Sequence, residues 1–137
     1  MIISAGLSGA GARSEQRALY NACLQLQSDV REARQRAVLE GVNYTVYFQV
    51  DLNRYQMYKA SASFKKDIDK TVYLENGVTY NDSYGFGGVT VPGQTLTFTP
   101  CGTVSGSSGS VYLKAGKFSQ SVTVLPDSGR VLLKLQK

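Results

Sequence analysis

From Ser14 to Glu40 the chain holds no glycine or proline, and Leu19, Ala22, Leu26, Val30, Ala33 and Ala37 recur at steps of three and four. That period draws one apolar stripe down a helix. With Ser14 as candidate N-cap and Gly41 as candidate stop, the helix is expected over residues 14–40 and to measure about 40 Å, more than twice the length of a mean globular helix. The Gly/Ala/Ser-rich opening, residues 1–13, reads instead as a flexible lead-in or an appended segment.

Past Gly41 the period falls to two. Tyr44, Val46, Phe48 and Val50 alternate with Thr45, Tyr47 and Gln49, and Tyr55 and Met57 repeat the alternation beyond a turn at Asp51-Leu52-Asn53, which predicts a hairpin. A third strand is expected near Thr71–Leu74 and a fourth near Val78–Tyr80, separated by the two-residue turn signal Asn76-Gly77. Residues 81–93 read as a glycine-rich loop. Further strands are expected at about 95–99, 110–114, 120–125 and 130–135, with Val111/Leu113, Val122/Val124 and Val131/Leu133/Leu135 each on one face.

One helix followed only by strands implies an α+β fold, the helix laid on antiparallel sheet, in a single domain over residues 14–137 (helix 14–40, β-rich 42–137). The chain's 137 residues suffice for one ordinary core. The helix is expected to bury Leu19, Leu26, Val30 and Ala37 and to leave Arg17, Arg31, Arg34 and Arg36 to solvent or neighbours.

The net charge of +5 is concentrated at the C-terminal end. Residues 113–137 carry Lys114, Lys117, Arg130, Lys134 and Lys137 against Asp127 as their one acid, a net +4. Such a strip can attract phosphates, and it can equally be a solvated face. No stretch approaches the length of apolar sequence that spans a bilayer, and the N-terminus lacks the basic start and apolar run of a signal peptide.

With no histidine in the chain, neither a Ser-His-Asp nor a Cys-His arrangement can form. Cys23 and Cys101, without CxxC spacing, cannot complete a zinc site of four nitrogen or sulfur ligands, so no metal or other cofactor is expected. The two cysteines are candidates for one disulfide, though two free thiols are favoured. Glu32, Glu40, Asp51, Asp67, Asp69, Glu75, Asp82 and Asp127 are scattered over helix and turn positions, where carboxylates cap or solubilise, which gives a general acid/base pair little support. Gly85-Phe86-Gly87-Gly88 lacks the lysine of a phosphate loop and reads as a turn. Tyr44, Tyr47, Tyr55, Tyr58, Tyr73, Tyr80, Tyr84 and Tyr112 fall on or beside strands and fit core and sheet surface better than a base-stacking platform, since only Tyr58-Lys59 and Tyr112-Leu113-Lys114 interleave with basic residues. No catalytic residue is assigned, and an enzyme is not expected.

The segment LQSDVREARQRAVLEGVNYTVYF resembles the helix-to-first-strand region of the minor pseudopilin family of type II secretion and type IV pilus systems, the GspH/FimT type. The ending agrees: LTFTPCG, SVYLKAG and SVTVLPDSGRVLLKL are similar to that family's closing pattern of apolar-x-Phe-x-Pro-x-Gly, strand, strand and Gly-Arg. The resemblance covers residues 19–135. It implies a pilin-like filament subunit of the cell envelope whose helix packs against other pilin or pseudopilin subunits. Family precursors carry a basic leader, a cleavage site and about twenty apolar residues that anchor them in the inner membrane before assembly. None of these occurs here, so the chain is expected to be the soluble part of such a protein. Some members bind DNA through a C-terminal Gly-Arg-x-Arg motif. Here Gly129-Arg130-Val131-Leu132 has leucine at the second arginine, leaving Arg130, Lys134, Lys114 and Lys117 as candidate DNA contacts.

Overall fold

The computed structural model describes residues 4–60, 66–81, 88–90, 94–105, 109–124 and 131–136. Helix α1 (Ser4–Glu40) begins ten residues earlier than the sequence pattern predicts, so residues 4–13 are helical rather than a lead-in. Once a helix is nucleated and docked, each added residue gains a hydrogen bond without a new nucleation cost, and alanines favour that extension over the interspersed glycines. The helix ends as expected. Gly41 takes a positive φ of 67°, and the amides of Gly41 and Val42 both donate to the Ala37 carbonyl, at 3.0 and 3.2 Å.

Among the described residues, nine strands follow: β1 (Tyr44–Gln49), β2 (Arg54–Ala60), β3 (Lys66–Tyr73), β4 (Thr79–Tyr80), β5 (Thr95–Phe98), β6 (Val104–Ser105), β7 (Ser110–Ala115), β8 (Phe118–Val124) and β9 (Val131–Gln136). They form two sheets, ordered β3-β2-β1-β5-β6 and β4-β7-β8-β9, in which every pairing of strands is antiparallel. The helix lies against β1 and β5 of the first sheet and against β7, β8 and β9 of the second. Its stripe of Leu19, Cys23, Leu26, Val30, Ala33 and Ala37 is buried against the inner faces, among them Val46, Phe48 and Met57 on one sheet and Val111, Leu113 and Val122 on the other.

The predicted hairpin of β1 and β2 is present, closed by a 3₁₀ turn over Val50–Leu52 and by Asn53 in the left-handed region. Asn76 and Gly77, at φ 60° and 82°, do form a turn, but not a hairpin: β3 pairs with β2, whereas β4 pairs with β7 in the other sheet. The Asn53 side-chain amide explains the change of direction. It donates to the carbonyls of Leu74 (3.1 Å) and Val78 (2.9 Å), while the Tyr80 hydroxyl donates to the Arg54 carbonyl, so the chain is held at the corner where it leaves one sheet for the other. The expected loop at 81–93 is likewise tied down within its described part: Gly88 and Val89 lie against β7, with the Tyr112 amide donating to the Gly88 carbonyl at 2.7 Å.

Strand β3 starts five residues earlier than predicted, and it carries a bulge. Met57 pairs with Lys70 and Tyr58 with Ile68, which leaves Asp69 as an extra residue. A bulge turns two successive side chains to the same side of a sheet. Both Asp69 and Lys70 accordingly reach the helix.

Candidate assembly surface

The helix presents two different faces. On the inner side, Asp29 is only 1% exposed yet is charged and paired. Its carboxylate accepts from Lys70 Nζ at 2.6 Å, from the Tyr55 hydroxyl and from Gln25 Nε2 at 3.0 Å. Three donors satisfy a carboxylate that burial would otherwise penalise heavily. Burial, and then the bond to Asp29, push the Tyr55 phenol well above its ordinary pKa, so it stays protonated as the donor.

Two turns further along, Arg36 contacts Glu32 (3.2 Å), Glu40 (3.8 Å) and Asp69 (3.2 Å). Its guanidinium lies 5.8 Å from the Tyr44 ring centroid, and the Tyr44 hydroxyl donates to the same Asp69 carboxylate at 2.5 Å. Lys59 closes the group on Glu40 at 3.4 Å. Three of the acids that look scattered in sequence, Glu32, Glu40 and Asp69, therefore converge on one cation. Arg34 is likewise engaged: its Nε donates to the Gly102 carbonyl at 2.7 Å. Gly102 sits at φ +84°, and a Cβ there would lie 3.1 Å from the Arg34 guanidinium and 3.2 Å from Val38, so the Pro100-Cys101-Gly102 turn docks with glycine as the residue the space admits. Of the four arginines expected to face solvent or neighbours, Arg34 and Arg36 instead fasten the helix to the sheet.

The outer side is different in kind. At 100° per residue, Tyr20, Leu24, Arg31 and Val38 fall within about 40° of one another on the helix surface. Tyr20 is 48% exposed, Leu24 38% and Val38 47%, and Leu39 beside them is 74% exposed. A surface helix with its stripe already buried does not need a second apolar line. This line is the candidate assembly surface.

The basic candidates are partly brought together. Lys114 pairs in register with Ser119, and position 134 with Ser121, which places both positions on the same face of the four-stranded sheet, two strands apart. Lys117 occupies the β7–β8 turn, its Nζ 5.7 Å from the Phe118 ring centroid. Arg130 lies outside the described residues. Tyr58-Lys59 and Tyr112-Lys114 stand on different sheets, so the structure builds no continuous stacking platform from them.

Cys23 is buried in the core on the helix stripe, and Cys101 is exposed on its turn; both are free thiols. Burial pushes the Cys23 thiol up to about 12. Alkylation at pH 8 is therefore expected to add one label to the folded protein and two after denaturation, read by intact mass without reductant. No label in either state would establish a disulfide.

The family model described as "Type II transport protein GspH" matches residues 22–129, most of the chain. The chain belongs to the GspH family. No relative among the curated proteins matches its sequence. Among solved structures, the fold is similar to the minor pseudopilin EpsH from the type 2 secretion system of Vibrio cholerae, at a TM-score of 0.66 and 14% identity, covering 85% of this chain and 96% of that one. It is equally similar to the type IV minor pilin FimU of Pseudomonas aeruginosa, at a TM-score of 0.66 and 17% identity, covering 90% of this chain and 96% of that one. At such identities the likeness concerns the fold: a long N-terminal helix packed on antiparallel sheets, as the GspH-type resemblance of the sequence implies. No described helix is long and apolar enough to cross a membrane.

Proposed function

We propose that this GspH-family chain is a minor pilin or pseudopilin that takes part in assembling a cell-envelope filament, and that it meets neighbouring subunits through the outward face of α1. The observation that carries this reading is the second apolar line of Tyr20, Leu24 and Val38 on a helix whose first stripe is already buried. Membership of the type II transport family supports the setting. Replacing Tyr20 and Leu24 together by arginine leaves the core untouched, so the melting temperature should stay within a few degrees of the parent's. In a host lacking the gene, the parent gene should restore exoprotein secretion or surface piliation, and the double variant neither. Full restoration by the double variant would rule out this face. Which of the two phenotypes returns identifies the system served.

The shared face of positions 114 and 134 supports a second, weaker reading as a DNA-binding subunit. With Leu132 where the motif has its second arginine, short duplex DNA is expected to bind no more tightly than about 10 µM at physiological salt, the range of non-specific contacts. Titration of labelled duplex at two salt concentrations, beside Arg130→Ala/Lys134→Ala, checks this. Sub-micromolar binding abolished by the double change would make DNA the principal ligand.

A further inference from the structure

The charges along the inner flank of α1 are spaced by helical turns. Glu32 and Glu40 stand four residues before and four after Arg36, the residue that faces Asp69. If the helix slid along the sheet by one turn, about 5.4 Å, a residue four positions away would take the place of Arg36. In one direction that residue is Glu32 and in the other Glu40. Either slip sets a carboxylate against the carboxylate of Asp69.

The neighbouring contacts change with it. Lys70, which now meets Asp29 at 2.6 Å, would face Gln25 or Ala33, and the buried Asp29 would lose its cation. In the slip that brings Glu32 to Asp69, Arg36 would arrive where Glu40 now meets Lys59, setting two cations together. The β3 bulge makes this possible, since only with Asp69 and Lys70 on the same side of the strand do two ion pairs of opposite polarity clamp one helix two turns apart.

We propose that the Glu32-Arg36-Glu40 series, read by Asp69 and Lys70, is a register lock that holds α1 against axial sliding on the five-stranded sheet. Such a lock passes an axial pull on the helix into β3 and the strands paired to it. It is independent of which filament, if any, the subunit joins.

The test separates attraction from register. In Arg36→Glu, all three turn positions repel Asp69. Adding Asp69→Lys restores an attraction, but to glutamates at 32, 36 and 40 alike. Spin labels at the exposed positions Gln35→Cys and Leu52→Cys, in a Cys101→Ser background, report the helix position relative to the sheet by pulsed dipolar distance measurement. The labelled parent should give one narrow distance. Arg36→Glu should lower the melting temperature, and Arg36→Glu/Asp69→Lys should regain at least half of that loss; with Asp29→Leu/Lys70→Met added, so that the second pair no longer holds the register, a second distance displaced by about 5 Å should appear. A regained melting temperature with one unshifted distance would overturn the proposal, leaving the pair as a plain stabilising contact; so would an Arg36→Glu variant as stable as the parent. Should these variants not fold, Glu32→Gln/Glu40→Gln keeps the Arg36–Asp69 pair and removes only the flanking repulsion. Under the lock it broadens the distance distribution, and an unchanged distribution sinks the idea.

Discussion

Leu26→Asp is expected to lower the melting temperature by more than about 12 °C. Leu26 is 1% exposed and lies in the middle of the stripe that both sheets share. The substitution removes a buried apolar side chain, worth about 2–5 kcal/mol when truncated, and puts a carboxylate without a partner in its place. A loss of about 4 kcal/mol is a large part of a domain's typical stability of about 5–15 kcal/mol, and in a domain of this size each kcal/mol moves the transition by about 4 °C. Leu24→Asp, two residues earlier on the outward face, introduces the same charge where water can reach it and should cost less than about 1 kcal/mol. Thermal unfolding followed by circular dichroism compares the two. Equal losses would mean that the inner and outer faces of α1 have been assigned wrongly.

Lys70→Met is expected to be the most damaging single change outside the apolar core. Among the described residues, it leaves the buried Asp29 carboxylate with the Tyr55 hydroxyl and the Gln25 amide as donors. Removing one partner of a fully buried pair costs about 3–5 kcal/mol. The Lys70 side chain is 36% exposed, so screening reduces the loss here to about 2 kcal/mol. Adding Asp29→Leu should recover most of it, because an apolar replacement of the whole pair no longer strands a charge. Denaturant melts of the parent, the two single variants and the double variant give the coupling directly. A coupling near zero would show that Asp29 and Lys70 do not depend on each other.

Much of this architecture was legible in the residues. The three-and-four spacing of Leu19 to Ala37 identifies the buried stripe at every position but one, where Cys23 is buried and the expected Ala22 only partly so, and the two-residue alternations locate most of the strands, because burial on one side writes itself into the sequence as a period. What was not legible depends on contacts between distant segments. Asn76-Gly77 announces a turn but cannot reveal that Asn53, more than twenty residues away, bends the chain into a second sheet. The bulge at Asp69 has no periodic signature, and the short strand β6 is too brief to show one. Asp29 did leave a trace: a carboxylate directly before Val30 borders the apolar stripe, where an ionised group needs a partner. The partner is Lys70, forty-one residues on, and pairing at that range is invisible to local pattern. The candidate assembly surface was the least legible part. Tyr20, Leu24 and Val38 look like extra core until the real core is seen to be full.

The pairing of β1 with β5 bears on how the chain reaches this state. Tyr44 lies opposite Phe98 and Tyr47 opposite Thr95, so the centre of the five-stranded sheet joins segments about fifty residues apart. Closing so long a loop carries an entropic cost that the short hairpins β1–β2 and β7–β8 avoid. Those hairpins should therefore acquire protection from solvent exchange early during refolding, and the β1–β5 seam late. Until that seam forms, β1 has one unpaired side and Phe98 has no place to bury, which makes the inner edge of β1 the site where a nascent chain is most open to pairing with the wrong strand.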